Sequence, residues 1–263
     1  MNSQCSKVRI SAAHIKVYNG SVPLVDDVSF DLKAGEILAI VGPNGAGKSS
    51  MLKALAGDLA YQGTLLMPDI EQQAMARARQ LAVLPQFNLL SFPYLVPEVV
   101  ALGRIPHKTG WQKDQEIILQ SLELLDISYL ANRKYTELSG GEKQRVQLAR
   151  VMSQIWRAQD SNNQARILLL DEPTNALDLG HQQQLLKGLR TFAKQGVAII
   201  MVMHDINLAS SCADKVLAMA CGQQVMLGTP NEVITEQTMQ QLFNTKVSIT
   251  SHPEYNTPIV LGG

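Results

Sequence analysis

The sequence predicts an α/β fold built on a largely parallel sheet, with a helical subdomain inserted between strands. Two observations carry this. Over residues 167–219 short apolar runs alternate with helical periods, which is the pattern of βαβ units. Over residues 88–156 β-branched runs are scarce and long helical periods take their place, so that stretch reads as an all-helical insertion.

Taken in order, the apolar positions Val8, Ile10, Ile15 and Val17 mark an opening strand region, and a second runs from Val22 to Leu32. Glu36 to Val41 is a short apolar run ending at glycine, as a strand buried on both faces should be. A helix is expected from Lys48 to Leu55, with Gly57 near its stop. Strands are expected at Gly63 to Met67 and at Leu81 to Leu84. Prolines 93, 97 and 106 punctuate the entry to the insertion. Inside it, Ile117, Ile118, Leu122, Leu124 and Leu125 fit one helix, and Val146, Leu148, Ala149 and Met152 another. Strands follow at Ile167 to Leu170, Val197 to Met203 and Lys215 to Met219, separated by helices at Gln182 to Ala193 and Ile206 to Cys212. Gly222-Gln223 suggests a hairpin turn leading to Val225 and Leu227, and the polar piece 160–164 reads as an exposed loop.

The chain has 263 residues, of which 46% are apolar, enough for a substantial core and against global disorder. Lys and Arg number 23 and Asp and Glu also 23. That balance argues against a dedicated nucleic-acid binder, which usually carries a basic excess. Cys5, Cys212 and Cys221 have neither CxxC nor metal-ligand spacing and read as reduced thiols of a cytosolic chain. Residues 1–11 lack a signal-peptide core, and no window reaches the ~18 apolar residues of a membrane span. The expectation is a soluble protein made in the cytosol that can still dock on a membrane partner.

Gly42-Pro43-Asn44-Gly45-Ala46-Gly47-Lys48-Ser49 fits the phosphate-binding pattern GxxxxGK[ST], with an apolar strand before it and a helix after it. Its glycines let backbone N–H groups converge on phosphate oxygens, and the helix N-terminus adds partial positive charge. Lys48 supplies a point charge to the β- and γ-phosphates, and the Ser49 hydroxyl is a ligand for Mg²⁺. The strand Ile167 to Leu170 ends in Asp171 and Glu172. Beside a P-loop, Asp171 is expected in the Mg²⁺ shell and Glu172 to polarise a water for attack on the γ-phosphate.

Leu138-Ser139-Gly140-Gly141-Glu142, followed by Lys143-Gln144-Arg145, is similar to the signature motif of ATP-binding-cassette (ABC) ATPases. Together with Asp171-Glu172-Pro173-Thr174 it makes the chain resemble that family from about Ile10 to Leu242. The resemblance implies a single 1–263 P-loop NTPase (ABC ATPase) domain. Its sheet would be mostly parallel, with an N-terminal antiparallel β region and an inserted helical subdomain over 88–156 that carries the signature. It also implies ATP and Mg²⁺ as cofactors, with Gly42 through Ser50 on ATP and Tyr18, thirty residues before Lys48, stacked on adenine. Gln86 matches the family's Q-loop glutamine, which touches Mg²⁺ or the attacking water. His204 matches the switch histidine on the γ-phosphate. Ser139, Gly140, Gly141 and Glu142 are expected to complete the site of the opposite subunit in a head-to-tail homodimer. Asn175-Ala176-Leu177-Asp178 resembles the D-loop that crosses that interface. The family more often has Ser where Asn175 stands; with Asp178 retained, catalysis is expected to be unaffected.

The resemblance further implies an importer subunit on the cytoplasmic face of a bacterial inner membrane, held there by a separate permease, present in two copies, and served by a periplasmic binding protein. Phe92-Pro93, Val96 to Val100 and Ala101 to His107 look like the iron-siderophore, haem and cobalamin importer group. Arg166 to Leu170 with Asn175 to Gln182, together with the tail His252-Pro253-Glu254 and Pro258 to Val260, is most similar to haem importer ATPases. His252-Pro253 is read as an ordinary tail segment and not as a haem ligand. A siderophore or cobalamin importer is the nearest alternative. A soluble cassette ATPase serving iron–sulfur cluster assembly is the alternative of another class. A DNA-repair cassette would need a long coiled-coil insertion, and no heptad run is present.

Overall fold

The computed structural model describes residues 7–86, 90–157, 165–254 and 256–262. The first strands are long and half-buried: β1 (Val8–Asn19) turns at Gly20 into β2 (Val22–Lys33), and the two pair antiparallel. Then comes β3 (Ile37–Val41), buried at every position, and α1 (Lys48–Ala56), which stops at Gly57 in the left-handed region with its N–H on the carbonyls of Lys53 and Ala54. β4 (Tyr61–Leu66) pairs antiparallel with the free side of β1. A short α2 (Ala74–Ala78) precedes β5 (Leu81–Leu84). The next strand is β6 (Ile167–Asp171); among the described residues between them lie α3 (Val96–Ala101), α4 (Trp111–Leu124) and α5 (Gly140–Gln154). Alternation resumes with α6 (Leu179–Lys194), β7 (Ala198–Val202), α7 (Ile206–Cys212), β8 (Lys215–Ala220) and β9 (Gln223–Gly228). The chain closes with α8 (Pro230–Val233), α9 (Glu236–Phe243) and an antiparallel hairpin, β10 (Val247–Ser251) and β11 (Pro258–Gly262).

The main sheet runs β4-β1-β2-β9-β8-β3-β7-β6-β5. The run from β8 to β5 is parallel throughout, and the β4-β1-β2 end is antiparallel. Apolar side chains on both faces explain why the central strands are continuous hydrophobic runs without alternation. Ile37, Ala39 and Val41 join one buried cluster, which extends through Leu168, Met201 and Phe192 into α3, α4 and α5. Leu38 and Ile40 join the other, beneath α1 and the antiparallel strands. The carboxyl ends of β3, β5, β6 and β7 therefore reach one edge of the sheet, where ligands of open α/β folds bind.

The structure departs from sequence expectation in several places. Helix α6 begins three residues earlier than Gln182 because Asp178 caps it. β4 begins at Tyr61, two residues before Gly63. α2 and α8 are too short for a helical period to stand out, and α9 is a further helix not expected from the sequence. The tail is ordered as a hairpin held to α7: Asn207 Nδ2 donates to Val260 O (3.1 Å), Val260 N–H to Asn207 Oδ1 (2.8 Å), and Ser210 Oγ to Pro258 O (2.6 Å). Cys5 and the loop expected at 160–164 lie outside the described residues. Cys212 and Cys221 are both free; burial pushes the Cys212 thiol up to about 12, while Cys221 is exposed. No helix of the described residues is long and apolar enough to cross a membrane.

Candidate nucleotide site

The segment after β3 folds into a tight loop because two of its glycines have no substitute. Gly42 (φ +147°) and Gly47 (φ +91°) take backbone conformations that side chains disfavour. A Cβ at Gly42 would lie 2.0 Å from Met219 O, and one at Gly47 2.2 Å from Leu24 O, both rigid backbone atoms. Gly47 also starts α1 without a side-chain cap, so the first N–H groups of that helix stay unspent. Lys48 Nζ donates to Gly42 O and Pro43 O, each at 2.8 Å, which holds the ammonium inside the loop. Burial pulls the Lys48 pKa down, and the charges of Glu172 and Asp171 draw it partly back.

A cavity of about 530 Å³ opens over this loop, within the range of small-molecule sites. Residues 44–50 line it, together with Glu172, His204, the hairpin segment 22–24 and Cys221-Gly222. Tyr18 does not reach the cavity wall. It lies on β1 opposite Pro23, half exposed, and Pro23 with its neighbours Val22 and Leu24 lines the cavity.

Ser49 Oγ donates to Asp171 Oδ1 across 3.1 Å, so two of the three residues assigned to a metal are neighbours. Burial raises the Asp171 pKa and the neighbouring Glu172 charge adds to that, while the Ser49 hydrogen bond opposes it. One hydroxyl beside one carboxylate suits Mg²⁺, which takes few protein oxygens and completes its shell with phosphate and water. Among the described residues no cluster of three or more His, Cys, Asp or Glu forms a dedicated metal cage. Gln86, the third residue assigned to the metal, hydrogen-bonds Glu172, the residue after Asp171.

Glu172 follows β6 with φ +52°, a left-handed conformation rare for a side-chain-bearing residue. Its carboxylate is enclosed by three donors. Gln86 Nε2 donates to Oε2 at 2.9 Å, Asn175 Nδ2 bonds the same oxygen, and His204 Nε2 bonds Oε1. Burial pushes the Glu172 pKa up, but the hydrogen bonds from His204 and Gln86, the charge of His204 and the bond from Asn175 outweigh it and leave it below the usual carboxylate value. The three residues assigned to catalysis are thus brought into one hydrogen-bonded group. Asn175 was not expected there; its place three residues after Glu172, where a tight turn folds back, was the available signal. Gln144 was also missed: its Nε2 lies 3.5 Å from Glu172 O, so α5 touches the backbone of the same residue.

Ser139 caps α5 through a capping box. Glu142 N–H donates to Ser139 Oγ (3.3 Å) and Ser139 N–H to Glu142 Oε2 (2.8 Å). Gly140 and Gly141 face residue Ala176, whose carbonyl oxygen would lie 2.7 Å from a Cβ on Gly141. None of Ser139, Gly140, Gly141 and Glu142 lines the cavity. Asp178 caps α6, accepting from His181 N–H at 2.9 Å. Within the chain these residues therefore work as helix caps and close packing.

The ABC transporter family profile matches residues 25–175. The chain is 43% identical to the hemin import ATP-binding protein HmuV of Pseudomonas fluorescens, over 97% of this chain and 99% of that one. It is 39% identical to the protein of the same name from Pseudomonas aeruginosa, over 94% and 97%. Among solved structures it resembles a chain from an inward-facing transporter described as of the metal-chelate ABC type. There the TM-score is 0.80 and the identity 26%, covering 97% of this chain and 96% of the other.

Proposed function

Because the chain belongs to the ABC transporter family, we propose that it is the ATP-hydrolysing subunit of a haem importer, driving uptake through a separate permease. The observation that carries the ATPase chemistry is the placing of Glu172 and His204 on the wall of the P-loop cavity. Near full-length similarity to hemin import proteins supports haem as the cargo. The siderophore, cobalamin and iron–sulfur alternatives are not favoured by these relatives.

In this reading the backbone N–H groups of residues 44–50 cradle the phosphates, and Lys48 compensates their charge. Ser49 and Asp171 hold Mg²⁺, which supplies charge neutralisation on the phosphate oxygens. Pro23, Leu24 and Cys221 line the part of the cavity left for ribose and base. Tyr18, paired with Pro23 across the hairpin, is the aromatic that would stack on adenine in this reading. Glu172 orients and accepts a proton from the attacking water. Oε1 has a place for that water, and His204 and Gln86 would turn from Glu172 toward the γ-phosphate and the water. The freed positive hydrogen-bonding groups then face the charge that grows in the transition state.

The N-terminus of α5, with Ser139, Gly140, Gly141 and Glu142, would complete the site of a second copy in a head-to-tail homodimer, and Asp178 lies at that interface. ATP would close the dimer and hydrolysis release it, since a ligand shifts only an equilibrium in which it contacts one state better. The insertion over 88–156 would face the permease on the cytoplasmic side of the inner membrane, and a periplasmic binding protein would deliver haem from the other side.

The test is reconstitution of the chain with its permease in lipid and measurement of ATP hydrolysis with haem-loaded or siderophore-loaded binding protein. Selective stimulation by the haem-loaded form is expected. Stimulation by the siderophore-loaded form alone would retain the importer and discard haem.

A further inference from the structure

We propose that Asn175 is a positioning residue for hydrolysis: its side-chain amide holds Oε2 of Glu172 so that Oε1 is the oxygen presented to the attacking water. This rests on the role given above to Glu172.

The two carboxylate oxygens are not equivalent. Each has two in-plane lone pairs. Oε2 accepts from both Gln86 and Asn175 and is saturated, whereas Oε1 accepts from His204 and keeps one place open. The three donors also differ in what carries them. Gln86 follows β5 and His204 follows β7, so both are attached to the site through other elements. Asn175 is three residues from Glu172 in the same turn, where its own N–H donates to Glu172 O at 3.2 Å. Pro173 and Thr174 between them are buried, which fixes the turn. When Gln86 and His204 release Glu172, the Asn175 bond travels with the carboxylate and remains its restraint. The direction of the amide is set by chemistry: an ionised carboxylate only accepts, so Nδ2 must face it.

The test uses the full chain with its permease and measures kcat and KM for ATP. Asn175→Ala is expected to lower kcat about 10-fold through a misplaced base, with KM within about twofold. Asn175→Asp has nearly the same shape but no amide donor, and it sets a like charge beside Glu172; it should lose at least as much. A role limited to the shape of the loop would tolerate Asp. An Asn175→Asp enzyme with the parent's kcat therefore overturns the inference. In a Glu172→Gln background, Asn175→Ala should change the residual single-turnover rate by less than about twofold, because the two residues act through one another; a full further loss overturns the inference. Glu172→Gln alone separates the two levels. If it turns over like the parent, the role of Glu172 falls and this inference with it. If it is inactive while the Asn175 variants behave as the parent, only this inference falls.

Discussion

Lys48 is 5% exposed, and its ammonium is already hydrogen-bonded to the loop carbonyls of Gly42 and Pro43. The charge is thus pre-positioned, and little side-chain entropy remains to be lost when phosphate binds. Replacing Lys48 with Ala removes a charge-assisted contact of about 1.5–3 kcal/mol. ATP affinity should fall about 10- to 100-fold, measured by nucleotide titration; unaltered binding would refute the P-loop reading. At this scale the sequence was informative wherever a residue type carries its own constraint. The glycines at 42 and 47 could be read directly, because only glycine fits the backbone there. The bond from Asn175 to Glu172 could not be read that way, because it depends on the direction of one amide across a turn.

Helix α5 shows how a single element serves two purposes. Ser139 and Glu142 satisfy its N-terminal groups as a capping box, while Gly141 allows the segment at Ala176 to approach closely. Further along, Gln144 reaches Glu172 O, and the buried Arg145 donates to Asp126 O (3.2 Å) and to the Tyr129 hydroxyl (3.1 Å). Ser139→Arg removes the cap at a cost of about 1 kcal/mol, too little to unfold the domain. It also places a bulky cation where a second copy would present its nucleotide. ATP binding by the isolated chain should persist while hydrolysis stops. Normal hydrolysis would exclude the α5 N-terminus from the active site. The helix was legible from its apolar period and its cap; its contact with the loop at 175–178 was not, since that segment is distant in sequence.

In the whole molecule, one buried cluster joins the parallel sheet to the inserted helices. Trp156, just after α5, packs on Phe192 of α6 with ring centroids 5.2 Å apart. Phe192 is fully buried, and Phe192→Ala should cost about 3–5 kcal/mol. Both tryptophans lie between β5 and β6, so their fluorescence reports the insertion, while far-UV circular dichroism reports the whole chain. Urea transitions by the two signals should coincide in the parent chain and shift together in the variant. Separate transitions would show that the insertion folds on a core of its own.

Strand and helix type, the P-loop, the acidic strand end and the family followed from the order of residues alone. Each rests on local periodicity or on residues adjacent in the chain, and local sterics and burial preferences act over that range. The short helices α2, α8 and α9 and the terminal hairpin did not follow, because they are too short for a period or are held by partners elsewhere. The active constellation belongs to the same second class. Ser49 meets Asp171 across 122 residues, Gln86 meets Glu172 across 86, and His204 meets Glu172 across 32. Those meetings depend on the strand order β3-β7-β6-β5, which brings four carboxyl ends to one edge. Neighbouring strands are chosen by packing of the assembled sheet, a non-local competition that no single segment records.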